Sequence, residues 1–128
     1  MLSRRSLLLA ALTANTAAPA LAAGAQPFDA AAFADAQKAG KPILVAIDAS
    51  WCPICKVQRP ILSDLTADPK FKDLAYFTID FDSRKDLVRR FGARMQSTLI
   101  AFKGAKEQGR SVGETNRGSI AALVNKVL

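Results

Sequence analysis

The chain has 128 residues, half of them hydrophobic and 23% charged, and 18 Lys and Arg against 11 Asp and Glu give a formal net charge of +7. That length suits one domain, and that balance describes neither a disordered tail nor a membrane bundle. Two cysteines and no histidine exclude a disulfide-dense scaffold, a four-ligand zinc site within one chain and every Ser-His-Asp, Cys-His or imidazole–metal mechanism.

Met1–Leu12 reads MLSRRSLLLAAL, a charged pair at Arg4-Arg5 followed by an apolar run from Leu7. The run fades through Thr13–Thr16 and reaches Ala20-Leu21-Ala22, a small-x-small cleavage pattern. Together these predict a secretory signal peptide over residues 1–22 and a single domain over residues 23–128. The apolar stretch falls short of the ~20 residues a membrane span needs, so no membrane insertion is expected once the signal is removed. Ser3-Arg4-Arg5-Ser6-Leu7-Leu8 is similar to a twin-arginine export signal, although ordinary secretion signals also carry adjacent arginines. The expected home is a bacterial periplasm, where disulfide chemistry is permitted. Cleavage after Ala22 leaves 106 residues and a net charge of +5. Its basic residues are scattered among acids, as in Lys70-Phe71-Lys72-Asp73. That spacing reads as a solvated surface, so no nucleic-acid partner is expected.

Helix and strand then alternate. Phe28–Phe33 opens an alanine-rich helix with Asp29 as N-cap, and Gly40-Lys41-Pro42 ends it. Ile43–Ile47 is a continuous apolar run of strand length, as in a central strand covered on both faces. A helix is expected from about Cys52 to Leu65, with Val57, Ile61, Leu62 and Leu65 on its inner side and a kink at Pro60. Leu74–Phe81 is the second strand. Ser83-Arg84-Lys85-Asp86 resembles a capping box that starts a short helix ending near Phe91-Gly92. Thr98–Phe102 and Glu107–Val112 form a hairpin around Gly104. Ile120, Leu123, Val124 and Val127 mark the inner face of a terminal helix. The predicted order is α/β: an N-terminal helix, then β-α-β-α-β-β-α.

The chemistry sits at Trp51-Cys52-Pro53-Ile54-Cys55-Lys56. Two cysteines at this spacing are ligands, a staple or a redox couple. A staple closing so short a loop gains only about 2 kcal/mol, and ligation by this chain alone fails on count. Position favours redox. Cys52 falls where a buried strand turns into a helix, so its sulfur meets the free N–H groups and positive end of the helix, with Lys56 nearby. Cys55, one turn further in and expected to be the more buried, is placed to attack a mixed disulfide at Cys52. Pro53 suits the first helical turn, where no N–H is needed.

Trp51-Cys52-x-x-Cys55-Lys56 after an apolar strand resembles the thioredoxin superfamily. Pro60 lies where those proteins carry a helix proline, and Ile79-Asp80-Phe81-Asp82 resembles their V-D-V-D strand ending. Phe91-Gly92-Ala93-Arg94 followed by Thr98–Gly104 resembles Y-G-V-R-x-x-P-T-L-x-x-F-K-x-G, and Gly113 matches a glycine after the last strand. The resemblance spans roughly Phe28 to Leu128. It implies a thioredoxin fold with a mixed four-stranded core sheet flanked by helices. It also implies thiol–disulfide exchange with protein disulfide or dithiol substrates and a redox-recycling partner. Cys52 would then be the nucleophile, Cys55 the resolving thiol, and the two together the redox disulfide. Trp51 would belong to the contact surface, with a core-packing tryptophan as the blander reading. No cofactor and no resident metal are required, and a monomer is expected.

Two departures stand out. The position of the superfamily's cis-proline is Ser97, and since a non-proline cis bond costs ~2.5–4 kcal/mol, the Gln96–Ser97 peptide is expected to be trans. Gln96 and Ser97 would line an altered substrate groove, the serine hydroxyl either donating to the thiolate or being a tolerated loop change. The buried aspartate six residues before the first cysteine is Ala46 here, and its usual lysine partner is Thr78. Losing both avoids stranding one buried charge, and leaves Asp48 as the nearby acid able to accept the Cys55 proton, or else a simple strand-end residue. Reductive service is favoured because Trp-Cys-Pro-x-Cys resembles the periplasmic reductants of cytochrome c maturation, and the strong-oxidant pattern Cys-Pro-His-Cys is absent. The alternatives are a thiolate metal-binding or metal-delivery module of the same fold, with two chains supplying four sulfurs, and a redox-inert binding domain.

Overall fold

The computed structural model describes residues 24–128; the signal peptide expected over residues 1–22 lies outside them. In chain order the elements are β1 (Gln26–Pro27), α1 (Ala30–Lys38), β2 (Pro42–Asp48), α2 (Pro53–Thr66), a 3-10 turn (Pro69–Phe71), β3 (Ala75–Asp80), α3 (Lys85–Arg90), β4 (Thr98–Lys103), β5 (Lys106–Val112) and α4 (Arg117–Asn125). They form a thioredoxin-type α/β fold around one mixed sheet of strand order β1-β3-β2-β4-β5. β1, β3 and β2 are parallel, and β2–β4 and β4–β5 are antiparallel. The four strands read from the sequence are all present. The fifth, β1, is only two residues long and pairs Gln26 with Phe77 and Pro27 with Thr78, too short to carry a period. Its proline is acceptable because the strand lies at the sheet edge. Among the described residues no helix is long and apolar enough to cross a membrane.

Strand alternation sorts the core into two layers. Ile43, Val45, Ile47, Phe77, Ile79, Ile100 and Phe102 face α1 and α3, meeting Phe28, Phe33, Leu87, Val88 and Phe91. Leu44, Ala46, Tyr76, Leu99 and Ala101 face α2 and α4, meeting Leu62, Ile120, Leu123 and Val124. The terminal-helix stripe read from the sequence is therefore the stripe that is buried.

Local signals succeed where a single partner decides them. Asp29 caps α1, accepting the Ala32 N–H at 2.9 Å. The β4–β5 hairpin turns at Gly104, whose φ of +58° and position 3.1 Å (ideal Cβ to Gly40 Cα) leave no room for a side chain. Two readings need correction. Ser83 does not cap α3; Arg84 occupies that position without a side-chain cap. The Ser83 N–H and hydroxyl instead donate to Asp80 Oδ2 at 3.0 and 2.6 Å, which holds Ser83 in the turn after β3, one residue ahead of the cap position. On α2, Val57 is exposed, and the buried stripe is Cys55, Gln58, Leu62 and Thr66. Two polar residues are buried in place of one apolar one, each donating hydrogen bonds: Thr66 donates to the Leu62 carbonyl at 2.7 Å, and Gln58 is described below.

Phe33 anchors the aromatic layer, with ring centroids of Phe28, Phe77, Phe91 and Phe102 at 5.3, 6.0, 5.4 and 5.6 Å. Phe33→Ala should cost about 3–5 kcal/mol, read in urea as a lowered midpoint at unchanged slope.

Candidate active site

β2 is the central strand, buried from Ile43 to Ile47, and it emerges at Asp48 into a short turn that delivers Cys52 to the head of α2. Cys52 is the N-cap residue, with φ −81° and ψ 115°. Its sulfur accepts the Cys55 N–H at 3.2 Å, the contact an Asp or Ser oxygen makes at an ordinary cap. Its own N–H donates to the Ala49 carbonyl, and its carbonyl accepts the Lys56 N–H, both at 3.2 Å. Pro53 opens the helix at a position that needs no N–H. A sulfur so placed faces the positive end of the helix dipole.

Both cysteines are free thiols and both are buried, Cys52 at 0% and Cys55 at 1% exposure. The expectation that Cys55 is the more buried is thus corrected: Ala49 and Phe81 pack against the pair as one small cluster. What separates them is their bonding. Burial, the hydrogen bond to the Cys52 sulfur and the neighbouring Asp48 carboxylate push the Cys55 thiol up to about 12, against a lowering by the Ala49 backbone. At neutral pH Cys55 holds its proton.

The structure gathers most of the sequence-predicted residues around this pair. Trp51 is 56% exposed, and its Nε1 donates to Asp82 Oδ2 at 2.7 Å, so the core-packing reading is excluded. Ile54 and Met95 are also exposed, and Ile54 Cδ1 lies 3.9 Å from where a Cβ on Gly113 would stand, giving the dithiol an apolar rim. Lys56 is exposed on α2, and its side chain makes no hydrogen bond or ion pair among the described residues.

Asp48 is ion-paired at the end of β2. It receives Arg59 Nε and Nη2 at 2.9 and 3.0 Å, and the same guanidinium reaches the Ala49 carbonyl at 3.1 Å. Arg59 is therefore the hydrogen-bond partner of the carboxylate, whose proximity also raises the Cys55 thiol. Ala46 and Thr78, the two departures from the superfamily's buried charge pair, are register partners across β2 and β3. Where that pair would sit there is a groove of about 430 Å³, lined by Ala46, Cys55, Arg59, Leu62, Tyr76 and Thr78 among others. Burial, followed by the Asp48 charge, pushes the Tyr76 hydroxyl up to about 12, with Arg59 opposing.

The loop before β4 holds the second departure. The Gln96–Ser97 peptide is trans, and Ser97 is buried with a left-handed φ of +59°, a conformation that costs a non-glycine residue about 1–2 kcal/mol. Its hydroxyl donates to the Gln96 carbonyl, so the expected bond from Ser97 to the thiolate is not made. The carbonyl one residue away is the nearer acceptor. Thr98 Oγ1 bonds the Met95 carbonyl at 2.7 Å, closing the loop on itself. Arg59 and Gln58 were not picked out from the sequence. The signal for both was their spacing: three and four residues after Cys55, on the buried side of α2 or at its edge.

Comparison with known proteins agrees with this geometry. The thioredoxin family model matches residues 25–126. The thioredoxin of Chlamydia muridarum is 38% identical over 97 residues, covering 73% of this chain and 89% of its own length. Thioredoxin of Pseudomonas aeruginosa is 31% identical over 76% of this chain and 89% of its own. A bifunctional thioredoxin reductase/thioredoxin of Mycobacterium leprae is 30% identical over 78% of this chain, which spans only 22% of that longer protein. Among solved structures, Trxlp from Edwardsiella tarda superposes with a TM-score of 0.76 at 39% identity, covering 79% of this chain and 98% of that one. A buried dithiol capping the helix that follows a central strand, in a chain matched over nearly all its described length, means that the protein belongs to the thioredoxin family of thiol–disulfide oxidoreductases.

Proposed function

We propose that this chain is an exported thioredoxin-family reductant of disulfides in protein clients, with Asp48 serving as proton acceptor for Cys55. The observation that carries the reading is the asymmetry of the pair: the Cys52 sulfur sits at the N-cap of α2 receiving an N–H, while Cys55 stays protonated beside a carboxylate. The Cys52 thiolate attacks one sulfur of a client disulfide, forming a mixed disulfide and releasing the other client sulfur as a thiolate that picks up a proton. Cys55 then passes its proton to Asp48 and attacks the Cys52 sulfur. The second client sulfur leaves with the bonding electron pair, and the Cys52–Cys55 disulfide remains. Two electrons have moved to the client, and a dithiol partner returns the enzyme to its reduced form.

Arg59 holds the carboxylate in place for this step through two bonds from one guanidinium. The exposed Trp51, Ile54 and Met95 offer apolar contact to a client strand, with Gln96 between them and Ser97. Export rests on the Arg4-Arg5 pair, the Leu7–Leu12 run and Ala20-Leu21-Ala22. The reductive direction rests on Trp-Cys-Pro-x-Cys without a histidine between the thiols.

Cys55→Ser should leave clients covalently attached to Cys52 and releasable by dithiothreitol, and the captured proteins should be exported ones. Cys52→Ser should capture none. The reduction potential against glutathione should lie well below the about −120 mV of strong oxidants; a value near that figure defeats the reductive reading. Asp48→Asn should slow resolution of a mixed disulfide about ten-fold or more at neutral pH, within the range of general-base effects. In that variant the rate should recover as pH rises, and at lower pH than the about 12 of the wild-type Cys55 thiol because the Asp48 contribution that raises it is gone, measured by stopped-flow release of a labelled peptide.

A further inference from the structure

Gln58 lies one turn beyond Cys55 on α2 and is 3% exposed, a polar side chain in the stripe where apolar residues pack. Both hydrogen bonds of its amide nitrogen leave the helix. Nε2 donates to the Ser97 carbonyl at 3.2 Å and to the Glu114 carbonyl at 2.9 Å. These acceptors belong to two separate loops, one entering β4 and one leaving β5. The loops are also joined to each other, since the Gly113 N–H donates to the same Ser97 carbonyl at 3.0 Å. On the other side the Ser97 N–H donates to the Ile47 carbonyl at 2.8 Å.

Ser97 has a left-handed φ of +59° and Gly113, its hydrogen-bond partner, has +70°. Glycine adopts that region freely, whereas serine enters it only when its surroundings over-determine it. Three bonds do so here: one donated by the Ser97 N–H and two accepted by its carbonyl. Of the three, only the one from Gln58 comes from a side chain, and only it comes from the helix that carries the dithiol. A buried amide with a single acceptor would have left one N–H unsatisfied at real cost; with two acceptors it is a stable bridge.

We propose that Gln58 is a positioning residue that latches the Met95–Ser97 loop, and with it the Gly113–Glu114 loop, to α2 at a fixed offset from Cys52 and Cys55. The latch sets the client groove and leaves the thiols' own chemistry alone. Its consequence for clients rests on the exchange function proposed above, while the latch itself does not. Gln58→Met keeps the volume and the apolar packing and removes both donated bonds.

The test has one arm independent of activity. By NMR, the side-chain amide protons of Gln58 in the wild-type protein should exchange at least about ten-fold more slowly than those of the exposed Gln26. In Gln58→Met the backbone amides of Ser97 and Gly113 should exchange about ten-fold faster, with those of Val45 and Phe77 in the sheet centre unchanged. In the second arm, the reduced variant should react with the small disulfide dithiodipyridine within about two-fold of wild type. With insulin as protein disulfide, KM should rise about ten-fold with kcat little altered. Gln58 amide protons exchanging as fast as those of Gln26 overturn the latch even if the variant does not fold. Unchanged Ser97 and Gly113 exchange in a folded variant overturns it too, and equal losses on both disulfides overturn its separation from the thiol chemistry. A wild-type protein inactive on both disulfides overturns the exchange function and the client role together, and the amide-exchange arm then still decides whether the loop is held.

Discussion

The hydrogen bond from the Cys55 amide to the Cys52 sulfur joins the chemistry of this protein to its fold. A helix leaves its first N–H groups without partners, and in most helices an oxygen from Ser, Thr, Asp or Asn answers them. Here a sulfur does, so folding α2 and placing the first thiol become one event. Burial and a separate contact between the two thiol side chains hold Cys55 in its protonated form. Everything upstream serves that placement: an apolar β2 hydrogen-bonded on both edges fixes where the chain emerges, and Pro53 fixes the first helical turn.

Around this cap the nearest carboxylate stands at the end of the strand and not in its buried interior. Ala46 and Thr78 face each other across two parallel strands and leave an apolar groove in which a charge pair would have carried a large desolvation cost. The acid is instead Asp48, two residues on and on the same face of β2, where it is only partly buried and has Arg59 as a bidentate partner. Partial solvation makes such a pair inexpensive to hold. It also leaves the carboxylate partly open to solvent.

The main fold was legible because its signals are redundant. The apolar run Ile43–Ile47 and the Ile120–Val127 stripe each bury a full face, and the dithiol is named by two letters in the right place. What escaped was whatever depends on a partner distant in sequence. β1 has two residues and exists only because β3 offers an edge. Ser83 turned back to Asp80, since a competing acceptor cannot be seen in a capping pattern. On α2 the apolar spacing picked out Val57 and passed over Gln58. Gln58 is buried because loops about 40 and 56 residues further on supply its acceptors, and nothing local announces them. The replacement of proline by Ser97 was visible as a substitution, and the trans peptide followed from its energetics. The left-handed backbone and the inward turn of its hydroxyl did not.

That backbone makes the loop a committed design. A proline ring fixes φ near −65° and has no N–H to give, whereas Ser97 sits at +59° and donates its N–H to Ile47. Restoring the family's usual residue by one codon change would therefore break two requirements at once. The serine version of this loop is thus tied to the central strand by an N–H that a proline ring does not possess.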